Sequence, residues 1–226
     1  MIKLLKRIIT LVLIIAIGLC AFTVYEGYNI YKEVTEQTPI EEKVKEIKAQ
    51  RHYTRYEDLS KTYIDAVIAV EDSRFRRHPG FDIISMGRAI KHNIEQGELK
   101  QGGSTITQQL ARNMYFEQDK QLSRKVAEVL VAFELEKKYK KNDIFELYTN
   151  VIYFGSGYYN IYDASRGYFG KTPWNLTDYE ATMLAGIPNA PSIYSLDVNP
   201  QLAEQRRQQV IACMVTEGYI EEGEIK

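Results

Sequence analysis

A glutamate and an aspartate stand at the end of an apolar segment and are followed by basic residues. Glu71 and Asp72 come directly after the run from Tyr63 to Val70, whose spacing predicts a helix, and three arginines and His78 follow within six residues. A carboxylate at a helix C-terminus faces the negative end of the macrodipole, which, with burial, raises its pKa. Such a carboxyl suits a general acid or base. Taken alone, these residues fit an ordinary ion pair better, because the positive charges of the nearby arginines lower the pKa of the carboxyl.

The second chemically suggestive segment begins with two glycines, which allow close backbone approach, and continues as a helix as far as Asn113. Ser104 or Thr105 is expected to cap this helix. Within it Ser104, Gln108 and Arg112 stand four residues apart, so we expect them on one face. Hydroxyl, amide and guanidinium groups in a row can hold sugar hydroxyls and a phosphate. The four-residue spacing by itself favours the alternative that this face of the helix is simply polar and exposed to solvent.

A third segment places cations beside another carboxylate. Arg124 lies four residues and Lys125 three residues before Glu128, opposite an apolar stripe. One interpretation is a surface ion pair worth about 0.3–0.5 kcal/mol. The other is a second carboxylate within a cluster of cations.

Helical periodicity recurs in nearly every later segment, and alternating strand patterns are scarce. Thr177 with Glu180 predicts a capping box. Asn199 before a proline predicts the start of the last helix, and Gly218 stands where a C-cap glycine belongs. The sequence therefore predicts a mainly α fold.

The N-terminus carries an uncharged apolar run from Ile8 to Tyr25. As a helix it covers about 27 Å, enough to cross a bilayer core. Because Lys3, Lys6 and Arg7 precede it, the positive-inside rule puts the N-terminus in the cytoplasm. A cleaved signal peptide is the alternative, but the run is long and lacks a small-x-small site. We therefore expect a signal anchor.

The composition limits the remaining choices. The 29 Lys and Arg residues balance 30 Asp and Glu residues, which argues against nucleic-acid binding through bulk charge. A hydrophobic content of 45% argues against disorder. Two cysteines and three histidines form no cluster suited to structural zinc. We divide the chain into a basic flank and anchor (1–25), a polar helical stalk acting as a spacer (26–50) and a globular domain (51–226).

The order of the segments indicates a family. EDSRFRRHPG, GGSTITQQLARN, RKVAEVLVAFELE, IYFGSG with YFGK, and LAGIPNAPSIY together strongly resemble the peptidoglycan glycosyltransferases, family 51 of the glycosyltransferases. The resemblance covers roughly Tyr53 to Tyr219, and its first two elements are highly specific. It implies a mainly helical, lysozyme-like lobe with a smaller membrane-associated jaw around Phe81 to Leu99, preceded by one transmembrane helix.

The resemblance implies an inverting enzyme of cell-wall synthesis that determines cell shape. It would polymerise lipid II into β-1,4 glycan outside the cytoplasmic membrane and release undecaprenyl pyrophosphate. Its partners would be lipid II, the growing lipid-linked chain, the membrane and other cell-wall synthesis proteins, and no nucleic acid. It would need no cofactor, although a divalent cation such as Mg²⁺ or Mn²⁺ could assist the pyrophosphate; no metal ligands are visible.

The resemblance also implies roles for individual residues. Glu71 matches the general base that takes the proton of the acceptor 4-hydroxyl, and Glu128 matches a second carboxylate that organises charge. The cations expected against the pyrophosphate are Arg112, Lys120, Arg124 and Lys125. The residues expected to orient sugars and phosphate are Ser104, Gln108, Gln109 and Asn113. The residues expected to shape the site around Glu71 are Asp72, Phe75 and His78.

Two departures from the family pattern and two rival functions stay open. Arg112 stands where lysine is common, and the usual YGIEAA stretch is replaced over Tyr159 to Ala164. Because no Ser-x-x-Lys occurs, we expect the monofunctional form without a transpeptidase domain, or a bifunctional protein cut short. A lysozyme-like hydrolase would also use two carboxylates. An inactive membrane-anchored scaffold is the non-enzymatic alternative.

Overall fold

The computed structural model describes residues 2–88, 103–116 and 121–225. These ranges form helices and turns without a strand, which confirms the mainly α prediction. The α-helices are α1 (Ile2–Gln37), α2 (Ile40–Lys48), α3 (Lys61–Glu71), α4 (Ile106–Tyr115), α5 (Leu122–Lys138), α6 (Lys141–Thr149), α7 (Ile161–Phe169), α8 (Asp178–Gly186), α9 (Pro191–Tyr194) and α10 (Pro200–Thr216). Residues 83–88 are also helical. Most of the jaw expected up to Leu99 lies outside the described residues.

Helix α1 is long and apolar enough to span a membrane. Its large apolar side chains are exposed from Leu4 to Tyr25. A continuous exposed apolar surface of this size is typical of segments that contact a membrane or another protein. The helix predicted from the apolar run is therefore present in the fold, and its length and composition would allow it to span a membrane.

Beyond Tyr25, helix α1 packs against α5. Gly27 lies against Ser123 and Val126, and the Tyr31 hydroxyl donates a 2.7 Å hydrogen bond to Glu134. Helix α2 follows, with its apolar stripe of Ile40, Val44 and Ile47 buried. The short amphipathic helix predicted after Pro39 is present as α2, and its apolar stripe is buried in the core of the domain.

Helix α3 is central to the core. Ser60 caps its N-terminus by accepting from the backbone of Tyr63. Its middle is buried on all sides, as expected for a helix that is apolar around its circumference. It packs against α8 and α10, which also contact each other. This packing fixes the C-terminal end of α3, where Glu71 stands.

Local capping signals set several helix ends as the sequence predicts. Thr177 and Glu180 form the capping box of α8, and Asn199 caps α10 with a side-chain bond to the backbone of Leu202. Gly218 follows α10 with φ of 75°, a conformation that favours glycine. These three predictions are confirmed.

Candidate active site

Glu71 is the last residue of α3, and its side chain is 8% exposed. The Gln109 side-chain amide donates a 2.7 Å hydrogen bond to its Oε2. The guanidinium of Arg206 stands 3.8 Å from its Oε1. Oε1 accepts no hydrogen bond from the described residues. The carboxylate is thus oriented through one oxygen while the other keeps its lone pairs for a further partner.

Burial raises the pKa of Glu71 above its ordinary value of 4.5. The hydrogen bond from Gln109 lowers the pKa, and so do the positive charges of Arg206 and Arg112. Burial outweighs them, so the net direction is upward. A carboxylate with a raised pKa is a better proton acceptor near neutral pH. The geometry therefore gives Glu71 the properties of a general base.

Asp72 connects the end of α3 to the start of α4. Its carboxylate accepts from His78 Nε2 at 2.9 Å and from the backbone N–H of Ile106 at 3.0 Å. His78 Nδ1 accepts from the backbone N–H of Gly80 at 3.1 Å, so its proton is on Nε2. Asp72 and His78 are buried and bind each other. Their arrangement fits the expectation that they shape the site around Glu71.

Phe75 lies in the core between these elements and is 1% exposed. Its ring packs against Phe145, and the ammonium of Lys141 stands 4.6 Å from its centroid. A side chain this deeply buried holds the loop after Glu71 in place by packing.

Helix α4 begins two residues later than Ser104. Thr105 is its N-cap and accepts from the backbone of Gln108, whose side chain in turn accepts from the backbone of Thr105. Ser104 therefore lies before the helix, and the shared helical face predicted for Ser104, Gln108 and Arg112 is wrong. Gln108 is 1% exposed, since its side chain serves this capping box.

Gln109, rather than Gln108, faces Glu71 from α4. Arg112 is half-buried one turn further on, close enough that its charge acts on Glu71. The side-chain amide of Asn113 donates to the carbonyl of Gln109 at 2.7 Å. Helix α4 thus contributes an amide and a cation to the same carboxylate.

A second carboxylate, Glu128, is 1% exposed on α5. The ammonium of Lys125 is 2.9 Å from its Oε2, and Arg124 Nε is 3.3 Å from its Oε1. Lys125 also donates a 2.8 Å hydrogen bond to the hydroxyl of Ser104. The carboxylate of this ion pair is buried while the ammonium of Lys125 stays 39% exposed, and Ser104 connects the pair to the loop before α4. Lys120 lies outside the described residues.

Comparison with known proteins identifies the family of the chain that carries these residues. The Transglycosylase family model matches residues 37–215. The chain belongs to the transglycosylase family. This confirms the resemblance drawn from the sequence segments.

The transglycosylase domain is similar to part of two larger proteins. It is 45% identical to penicillin-binding protein 1F of Bacillus subtilis over 163 residues, which cover 72% of this chain and 23% of that protein. It is 42% identical to penicillin-binding protein 1A of Aquifex aeolicus over 171 residues, which cover 76% of this chain and 24% of that protein. The chain thus spans about a quarter of the length of these relatives.

Arg206 is the residue of this transglycosylase site that the sequence analysis missed. It stands on α10, where its guanidinium donates to the side chain of Gln209 at 3.0 Å and to the carbonyl of Gly186 at 3.4 Å. These bonds direct it toward Glu71. No local pattern marks it, because it reaches Glu71 only through the packing of α3 against α10.

The stretch from Tyr159 to Ala164, which departs from the family pattern, makes its own set of contacts. Asn160 caps α7 by accepting from the backbone of Asp163 at 2.7 Å, and its amide donates to the Asp163 carboxylate at 2.8 Å. His52 Nδ1 stands 2.7 Å from the same carboxylate, and the ring of His52 lies 4.6 Å from that of Tyr162. These altered residues thus stabilise the start of α7 together.

The described residues contain no group of three or more His, Cys, Asp or Glu suited to a metal ion. Glu71 and Glu128 each contact a basic side chain instead. This donor set does not fit a protein-bound divalent cation, so no chemical step is assigned to one.

Proposed function

We propose that this protein is a peptidoglycan glycosyltransferase of cell-wall synthesis. In this proposal it polymerises lipid II into β-1,4 glycan and releases undecaprenyl pyrophosphate. The observation that carries the proposal is the buried Glu71 carboxylate, held by Gln109 with one oxygen left unbonded, in a member of the transglycosylase family. The cations on α4 and α5 fit a charged leaving group, which a hydrolase of neutral glycan would not require.

Glu71 acts as the general base in a single displacement. Its Oε1 takes the proton of the acceptor 4-hydroxyl as that oxygen attacks the anomeric carbon of the donor. The new C–O bond forms on the face opposite the phosphate, so the configuration inverts while the bond to the pyrophosphate breaks. Gln109 holds Oε2, which keeps the carboxylate oriented. General bases of this kind contribute about 10²–10⁴-fold to rate.

The leaving pyrophosphate takes the electron pair of the broken bond and is stabilised by cations. Arg112, Arg124 and Lys125 supply that charge, joined by Lys120. Lys125 is fixed between Ser104 and Glu128 before substrate arrives, so little reorganisation is needed. Glu128 positions these cations and does not transfer a proton.

The substrate lipid explains the membrane-spanning helix. We place the N-terminus in the cytoplasm and the domain outside, with α1 as a single span that holds α5 next to the bilayer. Lipid II and the lipid-linked chain then reach the site from the membrane. Other cell-wall synthesis proteins are further proposed partners.

Labelled lipid II separates the candidate functions. The full chain in detergent or liposomes should convert it to polymer, whereas cleavage of preformed glycan would indicate a hydrolase and neither product would indicate a scaffold. Glu71→Gln should lower polymerisation about 10²–10⁴-fold. The matched control is Glu57→Gln, which alters a carboxylate that is 71% exposed and should keep full activity. Normal polymerisation by Glu71→Gln would remove the base assignment.

A further inference from the structure

Two fully buried tyrosines carry hydroxyl groups that no other described residue binds. Tyr63 lies on α3 and Tyr148 on α6. Their hydroxyl oxygens have no hydrogen-bond partner within the described ranges. A polar group buried without a partner carries its full desolvation penalty, and the large majority of such groups in folded proteins are paired with protein or with ordered water. These two hydroxyls therefore need a partner that the side chains around them do not supply.

The two tyrosines and Glu71 belong to one buried cluster. The ring centroids of Tyr63 and Tyr148 lie 6.4 Å and 6.2 Å from that of Phe145, so one aromatic ring holds both of them. Burial raises the pKa of each phenol, and the nearby carboxylate of Glu71 raises both pKa values further. Both phenols therefore stay protonated at neutral pH and are hydrogen-bond donors close to that carboxylate.

Oε1 of Glu71 is the third buried polar atom of this cluster that no described residue binds. Neither phenol therefore donates to it directly. A carboxylate oxygen can accept two hydrogen bonds, so Oε1 can bind a group from the protein interior and still accept from a substrate hydroxyl. Two donors and one acceptor match a water molecule, which accepts from two hydroxyls and donates to the carboxylate. Buried waters typically make about three hydrogen bonds of this kind.

The other groups that face Glu71 do not satisfy Oε1. Gln109 binds Oε2 instead, and the guanidinium of Arg206 stands 3.8 Å from Oε1, beyond hydrogen-bonding distance. The charged or titratable groups that interact with Glu71 electrostatically are those of Arg206, Arg112, Asp72, Tyr63, Tyr148 and Cys213. Of these, the two phenols are the buried donors without a partner of their own in the part of the chain that the structure describes.

We propose that the hydroxyls of Tyr63 and Tyr148 donate to one internal water molecule, which in turn donates to Oε1 of Glu71. The two tyrosines are then positioning residues, which stabilise the ionised carboxylate through the water and do not touch the substrate. The effect on the base rests on the proposed function, whereas the water site does not.

Thermal unfolding of the full chain in detergent tests the water site without reference to catalysis. If the phenols hold the water, Tyr63→Phe and Tyr148→Phe each remove a hydrogen bond and should lower Tm by about 2–4 °C. A dry site predicts the opposite sign, because phenylalanine would then remove an unpaired hydroxyl together with its desolvation penalty. A Tm that rises in either variant overturns the proposal.

The double variant tests whether the two hydroxyls share one water. Its loss of Tm should be smaller than the sum of the single losses, because removal of one phenol already weakens the binding of the water that the other phenol uses. The matched control is Tyr168→Phe, since the hydroxyl of Tyr168 donates to the carbonyl of Phe154 at 2.8 Å. This change should lower Tm and add to Tyr148→Phe. Additive losses for Tyr63→Phe and Tyr148→Phe would overturn the shared site.

The pH dependence of lipid II polymerisation tests the effect on the base. A hydrogen bond donated to the ionised carboxylate lowers its pKa, so its loss raises the pKa. Tyr148→Phe should therefore move the acidic limb of kcat/KM upward by about one pH unit, whereas Tyr168→Phe should leave it in place. An unmoved limb in Tyr148→Phe would overturn the positioning role.

The two measurements separate this inference from the proposed function. Coupled losses of Tm in a chain that does not polymerise lipid II would support the water site and overturn the proposed function. Polymerisation of lipid II by a chain in which Tyr148→Phe raises Tm would overturn the water site and support the proposed function.

Discussion

Gly27 of α1 lies in direct contact with Val126 of α5. A Cβ atom placed on Gly27 would stand 2.5 Å from the Cβ of Val126 and 2.7 Å from the carbonyl oxygen of Ser123. Glycine at this position therefore permits the close approach of two helices. Since α5 also carries Arg124 and Glu128, the contact connects α1 directly to the charged half of the candidate site.

Replacing Gly27 by leucine should force α1 away from α5. We expect a loss of about 1–3 kcal/mol in the free energy of unfolding, as for other overpacked interiors. Polymerisation of lipid II in liposomes should fall as well, because α5 would no longer be held at the bilayer. Thermal unfolding and the liposome assay measure the two effects. Gly18→Leu is the control, since nothing lies within 4 Å of that position; equal behaviour of the two variants would contradict the contact.

The pH dependence of activity should report the ionisation of Glu71. The carboxyl must be ionised to accept a proton, so kcat/KM should fall as pH drops through a pKa higher than the ordinary 4.5. Arg206→Ala removes a positive charge that lowers this pKa, so it should move the acidic limb to higher pH. Arg206→Lys keeps the charge and should return the acidic limb most of the way to the pH at which it lies in the unaltered protein. A limb that stays in place in Arg206→Ala would refute the electrostatic role of Arg206.

The buried Glu71 carboxyl should also make stability depend on pH. Because its folded-state pKa is raised, the folded protein binds the proton more tightly than the unfolded chain does. Its contribution to stability is complete below the unfolded pKa near 4.5 and is lost as pH rises through the folded pKa. Glu71→Gln should lack this loss. The Tm of this variant relative to that of the unaltered protein should therefore rise as the pH increases over that interval. A Tm difference that shrinks as pH rises would show the opposite sign of shift.

Asp72→Ala should destabilise the protein strongly. It leaves the Nε2–H of His78 and the backbone N–H of Ile106 buried without their acceptor. The expected loss is about 2–4 kcal/mol, because each unpaired buried donor carries its desolvation penalty. Chemical denaturation measures it. Glu57→Ala removes an exposed carboxylate 3.6 Å from Arg55 and should change stability by less than about 0.5 kcal/mol.

The sequence predicts best those features that depend on neighbouring residues. Capping of α8 and α10 follows from three- and four-residue patterns, and the association of Lys125 with Glu128 follows from their spacing on one helix. The resemblance implies one role for both Gln108 and Gln109, whereas in the structure Gln108 completes the capping box with Thr105 and Gln109 bonds to Glu71.

Contacts between distant segments could not be read from local patterns. The apolar stripe of α2 predicts a buried face but does not say which surface covers it. Arg206 is one of several arginines in the chain, and only the packing of α3 with α10 brings it to Glu71. The close approach at Gly27 likewise depends on how α1 meets α5.

The contact between Glu71 and Arg206 makes the last long helix a part of the candidate active site. A ribosome produces α3 and α4 well before α10, so a nascent chain has the carboxylate and its amide partner but lacks the guanidinium. The candidate site is therefore complete only when the whole domain has been synthesised and has folded. Proteolytic removal of α10 should disrupt the candidate site twice, because it takes away Arg206 and also the packing that fixes the end of α3.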